Sequence, residues 1–281
     1  MDTRSLIEDG FENRAALAPG RAPRELLAAI DECLQLLGSG GARVAEPEGG
    51  GWRVNEWLKM AVLLHFRTRD NAVTESGPFR WFDKVPLKHE GYAAERFRSD
   101  GARIVPGAIV RAGAFVGRDA VLMPSFVNVG AYVGDDSMID SHALVGSCAQ
   151  VGARVHVSAS AQIGGVIEPV GALPVIVEDD VLVGGNCGVY EGAILKRRVV
   201  LAAGTIITGS TPIYDLPNGR IIQAAPGEPL IVPEGAVVVP GTRPVSTGQG
   251  REWGLSVATP IIVKYRDEKT SARTALEAWI R

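Results

Sequence analysis

Counting every sixth residue from Ile109 gives Phe115, Val121, Val127, Val133, Ile139, Val145, Val151, Val157 and Ile163, all large and apolar. A six-residue spacing matches neither the 3.6-residue period of an α-helix nor the alternation of a strand, so the segment reads as a repeat. Two residues before each of these positions stand Gly107, Gly113, Asp119, Ser125, Ala131, Ser137, Ala143, Ala149, Val155 and Ala161, mostly small, which suits a tight corner. The residue after the apolar position is Gly at Gly134, Gly146, Gly152 and Gly164. The frame lapses after Ile163 and resumes at Val177, Val183, Val189, Leu195, Leu201 and Ile207. Because 177 − 163 is 14, two more than two six-residue units, residues 165–176 are expected to contain an insertion, with Gly171, Pro169 and Pro174 supplying loop composition. A loop thrown out of a solenoid is the expected place to meet a ligand, since each coil otherwise offers a flat wall.

The flanks follow other periods. Leu26, Leu27, Ile30, Cys33, Leu34 and Leu37 predict a helix begun near Pro23 and stopped at Gly38. Trp57, Leu58, Ala61, Val62 and Leu64 predict another after Gly49-Gly50-Gly51, and a weaker one runs through Leu6, Ile7 and Phe11. Residues 1–100 are therefore expected to form a small, mainly helical domain, residues 101–240 the repeat, and residues 241–281 a strand and helix segment. Within the last part, residues 259–265 read as a strand, and Ser271 to Ile280 as a closing helix with Ala272, Leu276 and Trp279 on one face.

Composition narrows the function classes. Lys and Arg number 29 against 32 Asp and Glu, a net charge of −3, which gives no broad field for nucleic acid or anionic lipid. Three scattered cysteines, Cys33, Cys148 and Cys187, fit reduced thiols rather than a disulfide framework or a zinc site. The charged amino terminus is a poor secretory signal, and no apolar run approaches the length of a membrane span, so a cytoplasmic location is expected.

The six-residue pattern resembles the hexapeptide-repeat acyltransferases, in which three units form one coil of a left-handed parallel β-helix. The expected fold class is thus mainly β, with a helical N-terminal domain and a C-terminal strand and helix cap. Outside the repeat, Trp57-Leu58-Lys59, Phe82-Asp83-Lys84-Val85-Pro86, Met123-Pro124-Ser125, Asn128-Val129-Gly130-Ala131-Tyr132-Val133, Val145-Gly146-Ser147-Cys148-Ala149-Gln150 and Gly164-Gly165-Val166 resemble the tetrahydrodipicolinate N-succinyltransferase family. The resemblance implies transfer of a succinyl group from succinyl-CoA to the amine of L-2-amino-6-oxopimelate, in the route to diaminopimelate and lysine, with no permanently bound cofactor or metal. It also implies a homotrimer with sites between neighbouring prisms, an arrangement that would bury flat apolar walls.

Amine acylation needs a group that accepts a proton and donors for the oxyanion. Asp140, in Met138-Ile139-Asp140-Ser141, falls on the family's acidic position, and Arg103 on its substrate-binding arginine, whose guanidinium suits a dicarboxylate. Many relatives carry a second acid where this chain has Gly188, which leaves Glu191 as the nearest alternative. Small residues at Gly164, Gly165, Ala203 and Gly204 would allow the CoA arm close to the backbone, and Lys264 could meet its phosphates. The hexapeptides fit an acetyl-CoA-dependent N-acetyltransferase or a non-catalytic CoA-binding protein equally well. A β-helical zinc hydratase would need three histidines, whereas the repeat has only His142 and His156, which are also weaker candidates for a base.

Overall fold

The structure, a computed structural model, describes residues 2–267. From Arg103 onward the chain winds into a left-handed parallel β-helix with three walls, each rung contributing a short parallel strand. The first wall stacks Arg103–Ile104, Val121–Leu122, Met138–Ile139, His156–Val157, Leu182–Val183 and Val200–Leu201. The second stacks Ile109–Val110, Phe126–Val127, Leu144–Val145, Gln162–Ile163, Gly188–Val189 and Ile206–Ile207. The third stacks Phe115–Val116, Tyr132–Val133, Gln150–Val151, Ile176–Val177, Ile194–Leu195 and Ile231–Val232. In each pair the second residue points into the prism, and Val127, Val133, Ile139, Val145, Val151, Val157 and Ile163 are fully buried there. Burying such a side chain stabilises by about 1.5–3 kcal/mol, so the inward columns carry the fold.

The first three apolar positions of the six-residue count need correction. Ile109, Phe115 and Val121 face outward or sit at the wall surface, and the inward residues are Val110, Val116 and Leu122. Val110 pairs with Val127, 17 residues on, whereas Val127 pairs with Val145, 18 on. One residue is thus missing from the side Met123-Pro124-Ser125-Phe126, and a count that tolerated any apolar residue passed over the slip. The corner position is corrected too. Residues with left-handed φ lie three before the inward residue, at Gly107, Gly113, Asp119, Gly130, Asp136, His142, Cys148, Arg154 and Ser160. The small column Ala114, Ala120, Ser125, Ala131, Ser137, Ala143, Ala149 and Ala161 follows these corners and is buried, where little room remains inside the bend. The glycines after inward residues have another cause: a Cβ on Gly134 would lie 2.6 Å from the backbone of Gly152 on the next rung.

The insertion also differs from its expected size. Gln150 pairs with Ile176, 26 residues on, against 18 between Tyr132 and Gln150, so eight extra residues are added to a single side. A longer excursion lies between Ile206–Ile207 and Ile231–Val232, and contains the antiparallel pair Ile213–Asp215 and Arg220–Ile222. The prism ends in the long antiparallel pair Ala236–Pro244 and Ser256–Tyr265. The helix expected over Ser271 to Ile280 lies outside the described residues.

The N-terminal part holds helices α1 (Thr3–Glu12), α2 (Arg24–Ser39), α3 (Glu56–Thr68) and α4 (Ala94–Asp100). Two hairpins join them: β1 (Ala45–Glu48) with β2 (Gly51–Val54), around the three glycines, and β3 (Ala72–Ser76) with β4 (Phe79–Asp83). Its core of Ile7, Ile30, Cys33, Leu58 and Leu64 continues into Val129 and Cys148 of the prism. Arg43 fastens it to the third wall, its guanidinium 3.7 Å over the Tyr132 ring and its Nε donating to Gln150 at 3.0 Å.

Lys59 makes the link that matters for the inserted loop. It is completely buried on α3, and its Nζ donates to the carbonyls of Ala172 at 2.6 Å and Pro169 at 3.3 Å. Burial lowers its pKa from the ordinary lysine value, while Cys148 and Glu56 act in the opposite direction. A buried ammonium is costly without such partners, so the two carbonyls and the charge hold each other in place.

Lys59→Met keeps the volume of the side chain but removes the donor to the Ala172 carbonyl and leaves the Pro169 carbonyl only the Ala172 N–H, 3.0 Å away. Amide exchange across residues 165–175 should accelerate at least tenfold in the variant while the prism rungs stay protected, read by hydrogen-exchange mass spectrometry. His89 supplies a pH test. It packs against Tyr92 and Phe97, with ring centroids 5.3 and 5.4 Å away, and burial, followed by the nearby Lys88 charge, pushes its pKa down to about 4. Between about pH 4 and 6.5 the unfolded chain therefore binds a proton that the folded chain refuses, and stability rises with pH across this window, by up to about 3 kcal/mol. Denaturant unfolding at pH 4.5 and 7 should show this slope, and His89→Phe should flatten it.

Candidate functional site

Six of the sequence-predicted residues fall on two edges that flank the second wall, while Arg103 lies on the first wall and Lys264 on the last strand. Asp140 lies on the edge between the first and second walls, in the turn after Met138–Ile139. Its Oδ1 accepts the Ser141 N–H at 2.6 Å, and its side chain is 28% exposed, enough to be reached. Since Met138 pairs with His156 on the next rung, the His156 Nε2 comes within 3.9 Å of the Asp140 Oδ2. Sequence pattern gave this histidine little weight; the stacking register brings it beside the acid. His142 is an exposed corner residue with φ 61°.

Arg103 is exposed on the first rung of the same wall, and two pairing steps, Arg103 to Val121 and Val121 to Met138, separate it from the Asp140 rung. At about 4.8 Å per step that is about 10 Å along the prism. Ala203 and Gly204 share Asp140's edge, three steps further up, and are exposed. Lys264 is on the last strand, half-exposed, with its Nζ 2.8 Å from Asp267.

Gly164, Gly165 and Glu191 belong to the other edge, between the second and third walls. There the inserted loop and the longer excursion enclose a cavity of about 700 Å³, lined by Gly164, Gly165, Glu168, Leu173, Tyr190, Glu191 and Glu228 among others. Glu191 is exposed and takes a left-handed backbone, with φ 55°, beside Gly192. Asp140 and Glu191 are therefore not brought together within one chain: they stand on different edges of the prism. None of the described residues lining the cavity is a lysine, arginine or histidine.

Sequence reasoning missed three contributors. Lys59 sits beside the apolar stripe of α3 and nothing in a helical pattern marks it as buried. Tyr190 and Gln162 line up on the second wall, where the Tyr190 hydroxyl donates to the Gln162 Oε1 at 2.9 Å. The signal available for Tyr190 was Gly188 itself: a Cβ there would lie 2.8 Å from the Tyr190 hydroxyl oxygen and overlap the ring, so the ring fills the space in which a side chain at 188 would stand.

Comparison with known proteins agrees with this architecture. Residues 2–68 match the family model described as tetrahydrodipicolinate N-succinyltransferase N-terminal, and residues 174–209 the hexapeptide repeat of succinyl-transferase. A Polynucleobacter asymbioticus protein named 2,3,4,5-tetrahydropyridine-2,6-dicarboxylate N-succinyltransferase is 45% identical over 280 residues, spanning 99% of this chain and 98% of its own. Proteins of the same name from Nitrobacter winogradskyi and Dechloromonas aromatica are 48% and 44% identical, covering 100% and 99% of this chain and 100% and 98% of their own. With similarity of this depth running through helical module, prism and closing strands alike, the chain belongs to the tetrahydrodipicolinate N-succinyltransferase family.

Proposed function

We propose that this chain transfers the succinyl group of succinyl-CoA to the amine of ring-opened tetrahydrodipicolinate, L-2-amino-6-oxopimelate, in diaminopimelate and lysine biosynthesis. The observation that carries the reading is the full-length similarity to relatives named for this reaction, 44–48% identical from end to end. In the reaction the amine nitrogen bonds to the thioester carbon, the carbon–sulfur bond breaks, and CoA leaves as the thiol after the amine has given up a proton. Asp140 is the group we assign to orient the amine and accept that proton, a role its exposure and its anchoring on Ser141 support. His156, from the next rung, is the imidazole nearest this carboxylate, its Nε2 3.9 Å from the Asp140 Oδ2.

Arg103 is assigned to a carboxylate of the acceptor, and the backbone at Gly164, Gly165, Ala203 and Gly204 to the CoA arm, with Lys264 near its phosphates. Glu191 is carried as a second acidic contributor from the cavity edge. Because Asp140 and Glu191 occupy different edges of one prism, a site that uses both must be completed by a second copy. This favours the homotrimer, in which neighbouring prisms face each other. No helix among the described residues is long and apolar enough to cross a membrane, in keeping with a cytoplasmic enzyme.

Thiol release from succinyl-CoA should require tetrahydrodipicolinate and should exceed release from acetyl-CoA. Asp140→Asn should lower kcat by a factor of about 100 or more, within the range for a lost proton acceptor, without changing the thermal midpoint. Equal release from both thioesters would shift the acyl specificity, and no release from either would favour a CoA-binding protein without turnover. If His142→Ala abolished turnover and Asp140→Asn did not, the assignment of the base would be wrong.

A further inference from the structure

Tyr190 is held in a way that neither the repeat nor the inserted loop requires. Its ring lies across two glycines on adjacent rungs, Gly164 and Gly188, and neither has the left-handed backbone that would call for glycine. A Cβ on Gly164 would stand 2.8 Å from the ring Cδ1, and one on Gly188 would overlap the ring edge. Two missing side chains thus give one aromatic ring its place on the wall.

The tip of the ring is fixed as well. Gln162 is the direct register partner of Gly188 on the neighbouring rung, and its Oε1 takes the phenol proton at 2.9 Å. With its only proton given to Gln162, the phenol oxygen can still accept a hydrogen bond. That oxygen belongs to a residue lining the 700 Å³ cavity, whose other polar side chains include Glu168, Glu191 and Glu228. A lining with acids and, among the described residues, no cationic side chain suits the amine end of an amino dicarboxylate better than its carboxylates.

We propose that Tyr190 is the acceptor-selecting residue of this chain: its phenol oxygen receives a hydrogen bond from the incoming amine, and its ring forms the surface on which the acceptor's carbon chain lies. The assignment rests on the reading of the chain as an amine succinyltransferase. The phenol oxygen binds the amine by accepting its hydrogen bond and leaves the proton to Asp140, which stands on the other edge and is therefore supplied by a neighbouring copy.

Tyr190→Phe keeps the ring over both glycines and removes only the oxygen. In steady-state kinetics with both substrates varied, it should raise the KM for the acceptor about tenfold, leave the KM for succinyl-CoA within twofold, and leave the thermal midpoint unchanged. Gly188→Ala, which displaces the ring instead, should raise the acceptor KM in the same direction, with circular dichroism reporting an intact coil. An acceptor KM within twofold of the unaltered protein in Tyr190→Phe, or an equal rise for both substrates, would overturn the assignment while leaving the reaction standing. If the unaltered protein released no thiol with succinyl-CoA and the acceptor, the reading of the reaction and this assignment would fall together.

Discussion

Everything in this molecule depends on rung-to-rung backbone pairing at constant register. A rung of two-residue strands makes too few hydrogen bonds and buries too little to stand alone, so each coil is stable only because the next presents the same inward residue one step up the axis. Constant register also turns sequence separation into geometry: residues 18 apart become neighbours on one wall, as with Met138 and His156. Chemistry is therefore assembled by stacking, with side chains from several coils arrayed along an edge. Where the chain departs from the 18-residue coil, by one residue fewer at Met123 to Phe126 or eight more after Ile163, the wall stops being uniform and acquires shape.

The same regularity decided what could be read from sequence. Columns of Val and Ile at a fixed interval require no tertiary information to recognise, so the prism and the three N-terminal helices were legible. The single-residue slip near Pro124 was not, because Ile109, Phe115 and Val121 satisfy a hydrophobicity count as well as the true inward residues beside them. The hairpins of the N-terminal part were hidden by their composition: Phe79, Trp81 and Phe82 are exposed, so no alternation of buried and solvent-facing residues marks the strand.

Site residues divide along a related line. Asp140 and Arg103 could be named as candidates because the segments around them resemble those of a known family; the repeat alone did not single them out. Lys59 and Tyr190 act through contacts between distant segments, Lys59 with a loop 110 residues away and Tyr190 with a glycine on another rung. A pattern within one segment cannot display such a contact. Gly188 shows the limit well: as a letter it looks like the loss of a functional group, and in space it is the room that the Tyr190 ring fills.

The buried ammonium of residue 59 has a consequence for how this architecture can diversify. A solenoid ordinarily lets its excursions vary independently, since each coil is closed by its immediate neighbours. Here the excursion after Ile163 is tied to a side chain from outside the solenoid, so helix and loop form a single heritable module. A loop whose backbone no longer carried the carbonyls of Pro169 and Ala172 to α3 would leave the lysine buried without its acceptors.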